Sequence, residues 1–166
     1  MLHISYVHSF GNKKLPLPNE IKTKRLNPYS FRSSFMYNPN LNTISTKIGG
    51  VNEVLVENEY HLPTNTITRV IAGNIIKTVF TRTIPISENK SLLYWKIYRN
   101  FWIDPNVKYF TLIGNLLLKI LMKMTIQEDI NILNNVYENH RNGSLIVKYD
   151  VTIQNFRRDL ELYQLY

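Results

Sequence analysis

A two-residue turn between two strand-like runs constrains the fold of this chain most. Residues 64–72 and 75–83 are rich in Thr, Ile and Val, and Gly73-Asn74 lies between them. β-Branched residues favour strands, and a Gly-Asn pair between two such runs is typical of a hairpin turn of the primed type. Further strand-like runs lie at residues 31–37, 51–60 and 91–99. The sequence therefore predicts four or five antiparallel strands.

The C-terminal half of the chain carries a helical pattern instead. Asp104-Pro105 fits a helix start, with Asp as the cap and Pro at the first helical position. Apolar residues then recur at intervals of three and four positions, namely Phe110, Ile113, Leu117, Ile120, Leu121 and Met124. Asn142-Gly143 ends this pattern, and residues 151–162 fit a final amphipathic helix.

These elements predict an α+β fold in a single domain, residues 1–166. A curved antiparallel sheet is expected to grip the long C-terminal helix and to leave a cavity between them. Thr125 and Glu128 have the spacing of a capping box, which predicts a break in the long helix and the start of a second one.

Composition excludes several classes of protein. Apolar residues make up 44% of the chain, which is typical of a folded protein and excludes a disordered one. The absence of cysteine argues against a disulfide-built secreted domain and against a thiolate metal site. Because there is neither a run of eighteen apolar residues nor a signal peptide, we expect an intracellular protein without a transmembrane segment, in the cytoplasm or a plastid.

The net charge of +8 is unevenly distributed. Seven basic residues lie between Gly11 and Lys47, against the single acid Glu20. Such a surface could attract nucleic acid, an anionic membrane or an acidic protein, although a solvated basic surface is the commoner explanation. The charges lie in a connection that contains Pro, Asn and Ser, rather than among aromatic residues on one sheet face. Nucleic acid is therefore the less favoured partner.

Two histidines near the start are candidate metal ligands. His3 and His8 lie five positions apart in an apolar, aromatic segment, and neutral imidazole commonly binds iron, zinc and copper. On an ideal helix residues five apart point roughly 140° away from each other, so both reach one ion only if the backbone bends. The alternative is two ordinary half-buried histidines that hydrogen-bond nearby.

Asp129 is the candidate third ligand. On a helix its neighbours at three, four and seven positions are mostly apolar, namely Met122, Thr125, Ile126, Ile132, Leu133 and Val136. An ionised carboxylate among such side chains must be paired, hydrogen-bonded or bound to a cation. Glu128 instead has Asn131 and Asn135 as neighbours and can face water. Two histidines and one carboxylate form the ligand set of non-haem Fe(II) oxygenases, and the alternative for Asp129 is an ion pair with a buried Arg or Lys.

These segments resemble Rieske-type non-haem iron oxygenases. The stretch His-Ile-Ser-Tyr-Val-His-Ser-Phe-Gly at residues 3–11 is similar to the family segment in which four residues separate two iron-ligand histidines. Residues 127–133, followed by Phe156-Arg157-Arg158, are similar to the segment that supplies the carboxylate ligand and to the closing helix. The match is to the catalytic half of the branch of vanillate demethylase-like, dicamba monooxygenase-like and pheophorbide oxygenase-like enzymes.

The resemblance implies mononuclear Fe(II) held by His3, His8 and Asp129 in a helix-grip, START-like domain. It implies O₂-dependent hydroxylation or oxidative demethylation of an organic substrate, of which an aromatic compound is one kind. Family members carry a Rieske [2Fe–2S] domain held by two Cys and two His, and this chain has no cysteine. We therefore expect an N-terminally truncated catalytic part that needs a [2Fe–2S] partner domain or chain and an upstream reductase. A homotrimer is compatible with the resemblance.

Other residues suggest a pocket. Tyr6, Trp95 and Tyr98 could line a substrate cavity, although aromatic residues at such spacing are more often plain core. Glu57 and Glu59 could act as paired carboxylates, although residues on one strand face are more often solvated. The alternative function is a non-catalytic START-like protein whose pocket binds an apolar ligand.

Overall fold

Six strands and two helices make up the part of the chain that the structure describes. The computed structural model describes residues 20–38, 50–88, 90–134 and 151–164. The strands are β1 Lys22–Asn27, β2 Ser30–Tyr37, β3 Val54–His61, β4 Asn65–Ala72, β5 Ile75–Ser87 and β6 Lys90–Arg99. The helices are α1 Lys108–Leu133 and α2 Val151–Gln164.

The strands form one antiparallel meander in which each strand pairs with its neighbour along the chain, from β1 to β6. The hairpin at Gly73-Asn74 is confirmed, because Ala72 pairs with Ile75 and Gly73 has a φ of 59°. Only glycine adopts this left-handed region without steric cost. The predicted α+β class and antiparallel sheet are also confirmed.

The strand that sequence reasoning missed is β1. Its sequence, KTKRLN, has no apolar alternation, and all of its residues but one are exposed. It is the edge strand and pairs with β2 through contacts such as Lys22 opposite Ser34. Charged side chains are common on edge strands because they discourage pairing with other chains. Backbone pairing rather than burial therefore makes this segment a strand.

The core lies on one face of the sheet. Its buried apolar residues alternate along the strands and are Phe31, Phe35, Tyr37, Val54, Val56, Tyr60, Ala72 and Val79. Helix α2 covers the same face, where the Phe156 ring meets the Tyr60 ring edge-on with the ring centres 5.4 Å apart. Tyr163 meets Tyr29 in the same way at 5.7 Å. The final amphipathic helix expected at residues 151–162 is thus confirmed, and aromatic contacts hold it to the sheet.

Both predicted boundaries in the long helix are wrong. Helix α1 begins at Lys108, because the Asp104 carboxylate accepts a hydrogen bond from the Asn106 N–H at 2.8 Å and forms a separate turn before the helix. The helix also continues through Thr125 without a break. The Thr125 hydroxyl donates to the Leu121 carbonyl at 3.1 Å, inside the helix, rather than capping a new one.

The least exposed residues of α1 are not the periodic apolar residues between Phe110 and Met124. Phe110, Ile113 and Leu117, for example, are 48%, 57% and 45% exposed. The less exposed residues recur along a neighbouring line, the inner line, which comprises Thr111, Gly114, Leu118, Met122, Thr125 and Asp129. The periodic apolar side chains between Phe110 and Met124 are therefore largely exposed in this structure.

One arginine ties the start of α1 to the end of the sheet. The Arg99 Nη1 donates to the Phe101 carbonyl at 2.5 Å and to the Trp102 carbonyl at 2.8 Å. Its Nη2 donates to the Thr111 carbonyl at 3.1 Å and to the Asn115 Oδ1 at 3.0 Å. Gly114 makes this approach possible, because a Cβ atom there would lie 2.7 Å from Nη2. The absence of a side chain at this helix position thus allows the Arg99 guanidinium to lie against α1.

Helix α1 also has the length and composition of a membrane-spanning segment. Its 26 residues include a window of mean hydropathy 1.4, and only 11% of that window is buried. One such helix is weak support for a membrane protein, because the core helix of a soluble protein can have the same length and composition, although it would be mostly buried. The expectation of no transmembrane segment stays a prediction.

Candidate functional site

An open cleft of about 310 Å³ lies between the sheet and α2. The sheet contributes Asn58, Glu59, Tyr60, Thr66 and Thr68, and the helix contributes Thr152, Ile153 and Phe156. On the sheet side the Thr68 hydroxyl donates to the Asn58 Oδ1 at 2.9 Å, and the Thr66 hydroxyl bonds that of Thr81. The cleft therefore combines hydroxyl and amide groups on the strands with apolar side chains on the helix. This mixture suits a small, mainly apolar ligand with a polar group.

A buried carboxylate joins α2 to the sheet beside this cleft. Asp159 lies one helical turn after Phe156 and is 5% exposed. Its Oδ2 lies 2.8 Å from the Arg25 Nη1 and accepts a hydrogen bond from the Tyr60 hydroxyl at 2.5 Å. Its Oδ1 accepts a second hydrogen bond from Arg25 at 3.1 Å. Strands β1 and β3 thus hold the helix through one acid.

The electrostatics of this contact keep Asp159 charged. Burial alone would raise the pKa of Asp159, but the hydrogen bonds from Arg25 and Tyr60 outweigh it and lower that pKa overall. Burial and the neighbouring carboxylate both raise the pKa of Tyr60, so its hydroxyl stays protonated. The Asp159 oxygens already accept several hydrogen bonds. The Asp159 carboxylate therefore stabilises the contact between α2 and the sheet rather than acting as an acid or base.

The second buried carboxylate belongs to Glu59, a residue of the cleft whose side chain projects from the opposite sheet face to those of Asn58 and Tyr60, because side chains alternate along a strand. Glu59 is 4% exposed, and its Oε1 accepts hydrogen bonds from Arg32 at 2.7 Å and from Arg69. Its Oε2 lies 3.0 Å from the His61 Nε2. Burial would raise the pKa of Glu59, but the hydrogen bonds from His61, Arg69 and Arg32 lower it overall. The expectation that the Glu57 and Glu59 pair is solvated is therefore wrong for Glu59.

The cluster of Glu59, Arg32 and Arg69 follows from the register of the strands, which the sequence alone does not give. Arg32 lies directly opposite Glu59, and Arg69 directly opposite Glu57. Cross-strand neighbours on one face have Cβ atoms about 5 Å apart. The signal becomes visible only once the pairing of β2, β3 and β4 is known.

The predicted iron ligands are only partly within the described residues. Asp129 is half-buried at the end of the inner line of α1, and Glu128, one position earlier, is half-buried as well. His3, His8 and Tyr6 lie outside the described residues. Within residues 20–38, 50–88, 90–134 and 151–164, no three His, Asp or Glu side chains are grouped to hold a metal ion. That result does not test a site that takes two ligands from residues 3 and 8.

The two described candidates for a substrate pocket point in different directions. Trp95 and Tyr98 lie three positions apart on β6, so they project from opposite faces of the sheet. Trp95 is half-buried, whereas Tyr98 is 51% exposed. Neither residue lines the cleft beside α2. Their role in a pocket stays a prediction.

Part of the basic charge is neutralised inside the protein. Among the four basic residues of the described segment 20–38, Arg25 pairs with Asp159 and Arg32 pairs with Glu59. Lys22 and Lys24 are exposed on the edge strand β1. Half of these charges therefore contribute to structure rather than to an external basic surface.

Fold and site together define an α+β protein with a six-stranded antiparallel sheet, a long helix and a C-terminal helix over a cleft. No protein-family model matches the chain, and no curated protein matches it either. The resemblance to Rieske-type oxygenases therefore stays a prediction from the sequence segments around His3, His8 and Asp129.

Proposed function

We propose that this chain is the mononuclear iron domain of a Rieske-type oxygenase, with Fe(II) held by His3, His8 and Asp129. The supporting observation is the place of Asp129, half-buried on the inner line of the long helix that follows the sheet. The order of antiparallel sheet, long helix and closing helix is the order that the resemblance implies. We therefore assign the finer architecture as helix-grip and START-like, within the same proposal.

The proposed ligands suit ferrous iron. Two neutral imidazoles and one carboxylate bind Fe(II) and leave coordination positions open. Asp129 lies one turn beyond Thr125 and two turns beyond Met122, both half-buried. Bound iron would supply the oxygen chemistry, and the protein would position the substrate. Electrons would come from a [2Fe–2S] partner domain or chain, because this chain has no cysteine.

Metal titration tests this function. The purified chain is titrated anaerobically with Fe(II), and the bound metal is measured after removal of free ion. We expect one equivalent in the wild type and strong loss in His3→Ala, His8→Ala and Asp129→Asn. Glu128→Gln is the matched control, because it removes the adjacent half-buried acid and should leave the binding unchanged.

Two results would overturn the proposal. One is the absence of stoichiometric iron in a wild-type chain whose circular dichroism shows the folded α+β structure. The other is an equal loss of iron in Glu128→Gln and Asp129→Asn, which would show that binding does not depend on the proposed ligand.

The cleft favours a second candidate, a non-catalytic START-like protein that binds an apolar ligand. Phe156 and Ile153 give the cleft an apolar wall opposite the hydroxyl groups of Thr66 and Thr68. A fluorescent apolar probe should bind saturably, and Ile153→Lys should abolish that binding. Leu162→Lys is the control, because Leu162 lies on the same helix with a similar exposure, 52% against 47% for Ile153, and does not line the cleft.

A further inference from the structure

Lys77, on strand β5, differs from the other lysines of the described residues. It is half-buried, whereas the lysines at positions 22, 24, 90, 96, 108, 119 and 123 are exposed. Within residues 20–38, 50–88, 90–134 and 151–164, no ion pair or hydrogen bond holds its amine. A lysine that is drawn into the sheet without a partner needs a reason other than an ion pair.

The neighbours of Lys77 on the core face of the sheet are mostly apolar. Strand register places Val70 of β4 on one side of it and Arg99 of β6 on the other. Because side chains alternate along a strand, Ile75 and Val79 are its neighbours on β5. Val70 and Ile75 pack against the buried core cluster, and Val79 is itself buried. The surroundings of Lys77 therefore favour an uncharged group.

Arg99 is the one charged neighbour, and it brings no acceptor for the lysine. The core-face residues opposite positions 75, 77 and 79 of β5 are Thr68, Val70 and Ala72 on β4 and Ile97 and Arg99 on β6. Arg99 is the only ionisable side chain among them, and a guanidinium stays protonated in proteins. Its own hydrogen bonds go to four neutral oxygens, three of them backbone carbonyls. This part of the face thus carries positive charge and offers Lys77 no carboxylate.

The electrostatics of this position favour the neutral amine. Burial lowers the pKa of Lys77, because the ammonium form loses hydration that nothing nearby replaces. A neutral lysine amine has a free electron pair and can attack a carbonyl carbon, which an ammonium cannot do. Desolvation in apolar surroundings is one of the ways in which proteins activate lysine as a nucleophile.

We propose that Lys77 is an imine-forming site whose amine attacks the carbonyl carbon of a small apolar aldehyde. The electron pair of the amine forms the new C–N bond, and the second pair of the C=O bond moves to the oxygen. Both hydrogens of the amine leave with that oxygen as water, which gives a C=N bond and needs no oxidant or reductant. The apolar class follows from Val70, Ile75 and Val79, and the small size from the partial burial of Lys77.

The alternative for a half-buried lysine is a stem that packs on the sheet while its ammonium reaches water. Such an ammonium would keep the pKa of an exposed lysine, whereas burial lowers the pKa of Lys77. The two explanations also differ in chemistry. A lysine with a hydrated ammonium would react like Lys96, which is exposed on the neighbouring strand with its amine over the Tyr98 ring.

Reductive trapping tests the proposal. The metal-free full chain is incubated at about pH 7 with benzaldehyde and cyanoborohydride, which reduces the imine to a stable benzylamine, and peptide mass spectrometry locates the product. An ordinary lysine is less than about 0.1% neutral at this pH. We therefore expect Lys77 to gain the benzyl group more than about tenfold faster than Lys96.

Three controls link the reaction to the fold and to this side chain. Lys77→Arg keeps the positive charge but removes the nucleophile, so the fast phase of labelling should disappear. Lys96→Arg is the matched variant on the adjacent strand and should leave the labelling of Lys77 unchanged. In concentrated urea the two lysines of the wild type should react at equal rates, because unfolding removes the burial of Lys77.

Two outcomes with the folded wild type would overturn the proposal, and neither depends on the folding of a variant. Equal rates at Lys77 and Lys96 would show an ordinary hydrated lysine. The absence of a benzyl group at Lys77 would show that an aldehyde does not reach its amine. Because the chain is free of metal in this experiment, the result is independent of the iron site proposed at Asp129.

Discussion

Two buried carboxylates show how single residues stabilise this sheet. Asp159 and Glu59 are 5% and 4% exposed, and each accepts hydrogen bonds from arginine. A buried charge whose partner is removed keeps its desolvation cost but loses its compensation. The arginines are therefore expected to matter more to stability than ordinary surface cations do.

Replacement of Arg25 should show this effect. Arg25→Ala leaves Asp159 buried without its main cation, and the free energy of unfolding should fall by about 1 to 3 kcal/mol. The range extends to the lower value because the Arg25 side chain is 38% exposed, so that solvent screens its charge. Arg158→Ala is the control, because Arg158 also lies near Asp159, at 3.3 Å, but is 60% exposed and should cost less than about 0.5 kcal/mol. Urea unfolding measures both, and equal losses would contradict the expectation.

The same carboxylates predict the response to acid. The folded protein lowers the pKa of Asp159 and of Glu59 below their unfolded values of about 3.9 and 4.3. A group with a lowered folded pKa stabilises the fold above its unfolded pKa and loses that contribution as the pH falls through its folded pKa. The melting temperature should therefore be level above about pH 5 and fall steeply below about pH 4. In the double variant Asp159→Asn/Glu59→Gln the melting temperature should fall less steeply with acid. An unchanged pH dependence of the melting temperature would contradict this explanation.

At the scale of elements, the junction of β6 and α1 depends on Arg99 and Gly114. Replacing a mid-helix Gly with Ala ordinarily stabilises a helix by about 1 kcal/mol. Here the new Cβ would lie 2.7 Å from a guanidinium that four hydrogen bonds hold in place. The packing conflict should outweigh the gain in helix propensity.

A double-mutant cycle tests this junction. Gly114→Ala should destabilise the wild type by about 1 kcal/mol and stabilise the Arg99→Ala variant by a similar amount. Urea unfolding of the four proteins gives the coupling energy directly. Additive effects would mean that the guanidinium moves aside freely and that its contact with α1 does not depend on Gly114.

At the scale of the whole molecule, the proposed iron site joins the segment around His3 and His8 to the long helix, where Asp129 ends the inner line. Leu117 lies off that line and is 45% exposed, so Leu117→Ala should leave iron binding intact.

Iron binding should also stabilise the whole domain. A ligand that binds only the folded state adds about 2.7 kcal/mol at a hundred times its dissociation constant. Anaerobic Fe(II) should thus raise the melting temperature of the wild type and of Glu128→Gln, but not that of Asp129→Asn. Differential scanning calorimetry measures the shift, and Mg²⁺ at the same concentration is the ionic control. A shift of equal size in Asp129→Asn would place the stabilising metal elsewhere.

Local patterns in the sequence predicted most of the elements of this fold. The hairpin at Gly73-Asn74, the α+β class and the final helix were predictable because turn residues, alternation and helical spacing act over a few neighbouring residues. The polar strand β1 was not predictable, because only its pairing with β2 makes it a strand. The placement of the proposed ligands His3 and His8 lies outside the described residues and stays a prediction.

The amino-acid sequence alone was enough to predict the hairpin, most of the strands and a long, half-apolar helix, but not strand β1 or the bounds of that helix. Tertiary contacts decided which line of that helix is least exposed and which acids are buried. The physical reason is that both depend on contacts between distant residues. Arg99 reaches the open position at Gly114 across a chain turn, and Arg25 reaches Asp159 from the opposite end of the described chain. Such contacts leave no periodic signal, since their energy depends on distance in space rather than on separation along the chain.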